Sequence, residues 1–259
     1  MNPSQIDKSR VALRFAQAGQ SYTEHAIAQK QICQHLMQLM LEHLPTRHQA
    51  RVLEIGCGSG NLSHLLLQNL QIDQLILNDI YAEVQHHFAQ QQQIEWRIGD
   101  IEQLELPTQL NLVTSSSALQ WMTDLQAVFS KIAHALVQQG FFCFSIFGQQ
   151  NLKEIKALTG QGLEYHSLPE LQQVLTQTGF EVLHLSEQIK TLHFSHPKQV
   201  LQHLKATGVT ATSAAHRWTK HSLQQFYHDY QQFSETDQQG QTQYLLSYHP
   251  IYCIARRTT

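Results

Sequence analysis

Residues Val52 to Gly60 read Val-Leu-Glu-Ile-Gly-Cys-Gly-Ser-Gly, an apolar run of strand character that stops in a turn with a glycine at every second position. Glycine lets the backbone approach a ligand without a Cβ in the way, and a helix starting at Asn61 would present free N–H groups near its first turn. The dinucleotide-binding pattern G-x-G-x-x-G would place its third glycine at 61, where this chain has Asn61. The spacing therefore departs from that of a nicotinamide fold. A tight strand-to-helix turn with no ligand also fits the loop taken alone.

The rhythm around this turn sets the fold class. Strands are expected near Arg51–Ile55, Gln74–Asn78, Ile94–Ile98, Leu110–Ser115 and Gly140–Ile146, alternating with helices near Asn61–Asn69, Glu83–Gln91, Asp124–Leu136 and Pro169–Thr178. Strand and helix alternating at this pace predict an α/β fold with a doubly wound parallel sheet. Before it, residues 6–44 have helical spacing, with Ile27, Ile32, Leu36, Leu39 and Met40 on one face and Pro45 closing the segment. After it, Phe180–Phe194 reads as one long strand, Pro197–Thr207 and Thr219–Phe233 as two helices, and Tyr244–Ala255 as a closing strand. Gln90–Gln93 and Gln231–Gln243 read as glutamine-rich surface loops. The whole chain, 1–259, is expected to be one domain with an N-terminal helical cap over about 6–44 and a helical insertion over about 196–235.

A formal net charge of -3 provides no broad basic field, so composition does not suggest a nucleic-acid partner. The opening Met-Asn-Pro-Ser-Gln is not a basic region leading into an apolar core, and no stretch has the length and apolarity of a membrane span. A cytoplasmic location is expected. Cys33, Cys57, Cys143 and Cys253 are scattered without a C-x-x-C pair, which reads as four free thiols. The 17 histidines include His86-His87 and His216 with His221, but neither pair has zincin spacing, and no metal is expected. Ser115 to Ser117 do not form a G-x-S-x-G elbow, so a serine hydrolase is not supported.

Two acidic residues extend the pattern at strand ends, where open α/β sheets bind ligands. Asp79 follows the glycine turn by roughly 20 residues, where a carboxylate can accept both ribose hydroxyl protons. Asp100 ends the third strand in Ile98-Gly99-Asp100-Ile101. Each could also be a helix N-cap. Glu54 with Gly56, Cys57, Gly58 and Gly60, then Asp79-Ile80, then Asp100-Ile101, in that order, resembles the donor-binding motifs of class I S-adenosylmethionine-dependent methyltransferases. In that resemblance Asp100 holds the adenine amino group, and Ser115 and Ser116 join the cofactor-binding set.

The fourth strand runs into Ser115-Ser116-Ser117-Ala118-Leu119-Gln120-Trp121-Met122. It lacks the Asn/Asp-Pro-Pro-aromatic run of enzymes that methylate exocyclic amines of bases. Ala118-Leu119-Gln120-Trp121 followed by Asp124-Leu125 instead resembles the malonyl-acyl carrier protein O-methyltransferases of biotin synthesis, with Ser116 where that family usually has Asn. Trp121 packed in the core is the plainer reading of the same residue. The likeness runs from about Phe15 to Arg256: Arg14-Phe15-Ala16-Gln17-Ala18, Tyr22, Ala26 and Gln29, then Gly162 with Ser167–Leu171, Leu204-Lys205-Ala206-Thr207-Gly208-Val209-Thr210, and Leu245-Ser247-Tyr248-His249 with Ile254-Ala255-Arg256.

The resemblance implies a seven-stranded, mostly parallel sheet of Rossmann-like class I methyltransferase type, its last strand antiparallel and preceded by the helical insertion. It implies S-adenosyl-L-methionine as methyl donor and methyl-ester formation on the free carboxylate of malonyl-acyl carrier protein or malonyl-CoA. Such a carboxylate, with a reference pKa near ~4, is already ionised and needs no general base. Positioning and exclusion of water then carry catalysis. Tyr22, Gln120, Trp121, Lys205 and Arg217 are the substrate-positioning candidates, and a cation or hydrogen-bond donor is expected against the substrate's negative end. The basic residues Lys190, Lys198, Lys205, Arg217 and Lys220 offer a docking face to an acidic carrier protein. A methyltransferase for another small carboxylate or a quinone-type ring, and a donor-binding regulator without turnover, share the donor motifs.

Overall fold

A computed structural model of the chain describes residues 27–88, 94–207 and 219–258. Helix α1 (Ile27–His43) leads into strand β1 (His48–Ile55), helix α2 (Asn61–Asn69), strand β2 (Gln71–Asp79), a 3-10 helix (Ala82–Phe88) and strand β3 (Ile94–Ile98). Strand β4 (Leu110–Ser116), helix α3 (Leu125–Ala135), strand β5 (Leu136–Phe147), helices α4 (Lys153–Thr159) and α5 (Leu168–Gln177) and strand β6 (Phe180–Glu187) follow. Then come β7 (Lys190–Phe194), α6 (Pro197–Ala206), α7 (Lys220–Asp229), β8 (Ser234–Thr236), β9 (Thr242–Tyr248) and β10 (Pro250–Arg257).

The main sheet has seven strands in the order β3-β2-β1-β4-β5-β10-β6. Strands β1 to β5 are mutually parallel, and β10 runs antiparallel to both neighbours. The α/β class and the antiparallel last strand agree with the sequence reading. Alternate side chains enter two different cores. Val52, Leu112, Phe141, Cys143 and Ile254 pack on the side of α1 and α2, whereas Leu53, Val113, Phe142, Phe144 and Cys253 pack on the side of α3 and α5. Both faces of the sheet are thus buried, as parallel strands require. On the second side Phe129, Phe142 and Phe144 form an edge-and-tilt aromatic cluster with centroids 4.6 to 5.4 Å apart.

Local chemistry sets the helix ends. Asp124 accepts the Ala127 amide at 2.9 Å and starts α3. Ser167 and Glu170 form a capping box on α5, with Pro169 in its first turn. The described part of the helix expected over Glu83–Gln91 is a 3-10 helix, Ala82–Phe88, the rest of it and the loop expected over Gln90–Gln93 lie outside the described residues, and α4 has no counterpart in the sequence reading.

Two strands read as continuous are each broken in two. The run Phe180–Phe194 divides into β6, paired with β10 in the main sheet, and β7, paired with β9 in a second sheet of order β7-β9-β8. Tyr244–Ala255 divides into β9 and β10 at His249-Pro250, and the proline lacks the N–H that a continuous ladder would use. His249 occupies this corner: the Gln150 amide donates to its Nδ1 at 3.1 Å, and its Nε2 lies 3.0 Å from the Glu187 carboxylate. The late insertion therefore carries a small antiparallel sheet as well as α6 and α7. Glu154 ties α4 to it, accepting the Ser247 amide at 3.0 Å and the Ser247 hydroxyl at 2.6 Å in a buried setting. No helix among the described residues is long and apolar enough to cross a membrane.

Replacing Glu154 with Ala leaves two buried donors of Ser247 without an acceptor, so E154A is expected to lose about 3 kcal/mol of unfolding free energy in urea titration. A midpoint within error of the parent would mean that the contact contributes nothing net.

Candidate ligand cavity at the strand ends

In the sheet registers Ile55 pairs with Asn78 and with Ser115, Asp79 with Ile98, and Ser116 with Ser145. The carboxyl ends of β1 to β4 consequently lie level with one another, and the strand order reverses between β1 and β4, where open sheets leave a crevice. The glycine turn bends over this edge. Gly56 and Cys57 both donate to the Asn78 carbonyl, at 2.9 and 3.0 Å, and Gly58 donates to Asp79 Oδ2 at 2.9 Å. Gly56 has φ +71°, and a Cβ there would lie 2.4 Å from the Ala118 Cβ. At Gly60 a Cβ would meet the Phe88 ring at 2.7 Å, so this glycine seats α2 against the 3-10 helix. Gly58 has open space on its Cβ side.

The resulting cavity of about 320 Å³ has the size of a small-ligand site. Glu54, Gly56, Cys57, Gly58, Asp79, Ile80, Asp100, Ile101, Ser116 and Trp121 all line it. Ser115 lies beneath the cavity and donates its hydroxyl to the Ile55 carbonyl at 2.9 Å, which locks β4 to β1. Gly60 is also outside the lining. Gln120 donates to the Ser117 carbonyl, and its buried Oε1 has no hydrogen-bond partner. Lys205 is exposed on α6 and does not line the cavity. Tyr22 and Arg217 lie outside the described residues.

Several lining residues were not anticipated as such. Gln29 and Cys33 come from successive turns of α1, and Tyr81, His86 and His87 from the segment after β2. Cys33 Sγ donates to Ser116 Oγ at 3.3 Å, and the Ser116 and Ser145 hydroxyls are 2.9 Å apart. Only the i, i+4 spacing of Gln29 and Cys33 on one helical face hinted at this wall.

The lining is acidic. Among its described residues there is no Lys or Arg, whereas Glu54, Asp79, Glu83 and Asp100 are all present. Glu54 is 1% exposed, and burial pushes its carboxyl up to about 8. Its Oε2 has no hydrogen-bond partner. Burial also raises Asp79, against the opposing amide donors of Gly58 and Tyr81. The Cys33 thiol is pushed up to about 12, mainly by burial, and burial raises the Cys57 thiol as well. Both thiols are therefore protonated and unreactive at neutral pH. A buried carboxylate oxygen facing a cavity without a partner suits a ligand that brings a positive charge or an N–H donor.

Glu54 holds its proton in the folded state up to about pH 8, whereas its ordinary value is 4.5. Between those values the folded chain binds more protons than the unfolded one, so this group's stabilisation is full at low pH and lost as pH rises through the window. Thermal melts of E54Q and parent from about pH 5 to about pH 9 should therefore show the parent losing stability relative to the variant as pH rises. Parallel melting profiles would rule out the raised carboxyl.

A family profile described as a methyltransferase domain matches residues 22–185. The malonyl-[acyl-carrier protein] O-methyltransferase of Acinetobacter baylyi is 51% identical over 256 residues, covering 98% of each chain. Its counterpart from Haemophilus influenzae is 36% identical over 253 residues, covering 97% of this chain and 95% of its own. Among solved structures, the YcgJ protein of Bacillus subtilis superposes with a TM-score of 0.63 at 17% identity, covering 87% of this chain and 99% of its own. The N-methyltransferase NodS of Bradyrhizobium japonicum, in complex with S-adenosyl-L-homocysteine, gives 0.54 at 12% identity, covering 88% and 86%. These two share the fold. With that fold, and with 51% identity to the Acinetobacter baylyi enzyme over an alignment that covers 98% of both chains, this chain belongs to the malonyl-[acyl-carrier protein] O-methyltransferase family.

Proposed function

We propose that the protein transfers the methyl group of S-adenosylmethionine to the free carboxylate of a malonyl thioester on acyl carrier protein, giving the methyl ester and S-adenosylhomocysteine in an early step of biotin synthesis. The observation that carries this reading is 51% identity, over nearly the full length of both chains, to a relative named for that activity. The cavity fits the donor's chemistry: Glu54 Oε2 is buried without a partner, and the Gly58 backbone is open on its Cβ side. When bound, S-adenosylmethionine supplies an electrophilic sulfonium methyl group.

The residues divide the work by position. Glu54 takes the donor's ammonium group. Asp79, held by the Gly58 and Tyr81 amides, accepts from the ribose hydroxyls, and Asp100 takes the adenine amino group between Ile80 and Ile101. Cys57, Gly60, Ser115 and Ser116 complete the donor-side set, Gly60 and Ser115 by shaping the wall from behind. No side chain acts as general base, because the acceptor carboxylate is ionised at neutral pH. Trp121 and Gln120 on the loop after β4, with Tyr22, orient the acceptor and exclude water. Lys205, exposed on α6 and outside the cavity lining, works with Lys190, Lys198 and Lys220 as a docking face for the acidic carrier, to which Arg217, outside the described residues, is assigned from the sequence alone. We read the chain as one cytoplasmic domain with a cap over 6–44 and an insertion over 196–235, of which 6–26 and 208–218 lie outside the described residues.

A radiolabelled transfer assay with malonyl-acyl carrier protein, malonyl-CoA and succinyl-acyl carrier protein should place base-labile label on the malonyl carrier first. Absence of label on any malonyl substrate, with donor binding intact, would replace this reading by another acceptor or by a regulator without turnover. The double variant K198E/K220E is expected to raise KM for malonyl-acyl carrier protein roughly tenfold at low salt while leaving malonyl-CoA unchanged. Unaltered kinetics would remove those lysines from the docking face. Because Glu54 is ionised only above about pH 8 in the free protein, S-adenosylhomocysteine should bind more tightly as pH rises toward that value, and E54Q should abolish the slope. Calorimetric titration at several pH values measures it.

A further inference from the structure

Two walls of the cavity are joined by a closed ring of hydrogen bonds whose charged side chains, Glu102 and Lys131, have no role assigned above. The first wall is the loop after β3, which carries Asp100 and Ile101. The second is the loop after β4, which carries Ser117, Ala118, Trp121 and Met122. Lys131, half-buried on α3, donates from Nζ to three main-chain carbonyls of the first loop: Ile101 at 2.9 Å, Glu102 at 3.2 Å and Leu104 at 2.6 Å. An ammonium group has three protons, so these acceptors saturate it. The Glu102 carboxylate reaches the other way and accepts the amides of Thr123 at 3.0 Å and Asp124 at 2.8 Å. Asp124 in turn caps α3, the helix that bears Lys131. The path thus closes from loop to loop to helix and back to the first loop.

We propose that Glu102 and Lys131 are positioning residues that fix the separation of these two loops, and hence the fit of the ligand between Asp100 and the Trp121 segment. The inference rests on the donor-binding reading of the cavity. Both links are charge-assisted, roughly twice as strong as neutral hydrogen bonds. They act on main-chain atoms, so they set where each loop runs and leave its side-chain chemistry alone. Neither side chain lines the cavity. The local turn bonds, Gln103 N and Leu104 N to the Asp100 carbonyl at 2.8 and 3.0 Å, shape the first loop but do not tie it to the second.

The test uses the full chain with K131M, which keeps an apolar stem, with E102A, and with both together. S-adenosylhomocysteine affinity is measured by calorimetry well below the melting temperature, and hydrogen exchange is followed over residues 101–106 and 119–127. Each single variant is expected to weaken binding about tenfold and to speed exchange in both segments, and the pair to be little worse than either alone, because one ring opens once. E154A, which loosens the distant small sheet, serves as the stability control and should leave the affinity unchanged. Unchanged affinity in K131M, exchange confined to one segment, or an equal loss in E154A would overturn the proposal. Should the parent protein itself fail to bind S-adenosylhomocysteine, the donor-site reading falls, and exchange in both segments still decides whether the ring exists.

Discussion

Burial of both faces of the main sheet is the constraint from which the rest of this structure follows. With apolar side chains filling each face, the central strands offer no room for ligand chemistry along their length. Polar groups collect where the ladders stop, at Ile55, Asp79, Ile98 and Ser116. The level ends of β1 to β4 make that collection a single site. The same buried sheet keeps it rigid, since moving one strand end would disturb two packed cores.

The site concentrates energetic cost. Glu54 is taken out of water at the end of a buried strand, and its carboxyl is raised accordingly, with one oxygen left unpartnered. A folded chain tolerates such a group where it serves a ligand. The glycine turn is the steric counterpart: a side chain at Gly56 would collide with Ala118, so the turn and the loop after β4 can meet only because that Cβ is missing. The glycine turn and the loop after β4 thus meet at Gly56 and Ala118, while Glu102 and Lys131 link the loop after β3 to the loop after β4 and to α3.

Acidic and basic side chains occupy different parts of the molecule. The described cavity lining has acidic side chains and no Lys or Arg, while Lys198, Lys205 and Lys220 are exposed on or beside the insertion helices. Under the proposed function, attraction to an acidic carrier and recognition of the donor would be separated in space.

What could be read in advance was governed by local chemistry. Period, glycine spacing and strand-end acids are encoded in adjacent residues, so the parallel α/β class, the turn at Gly56–Gly60 and the placing of Asp79 and Asp100 at the ends of β2 and β3 were legible in the sequence. The single strands expected over Phe180–Phe194 and Tyr244–Ala255 were not interrupted by any strong breaker except Pro250, and only pairing with two different sheets divides them. Gln29 and Cys33 read simply as helix, because nothing in α1 says which buried neighbours its face will meet. Lys131 and Glu102 lie 29 positions apart and look like surface charges. By itself, then, the sequence determined the class of fold, the ligand-end turn and the acids beside it, because these depend on short-range backbone preferences and side-chain identity. Only the tertiary structure decided which helix face walls the cavity, where the late strands part, and which charges bridge its loops, because those outcomes depend on long-range packing and on where burial leaves a polar group without water.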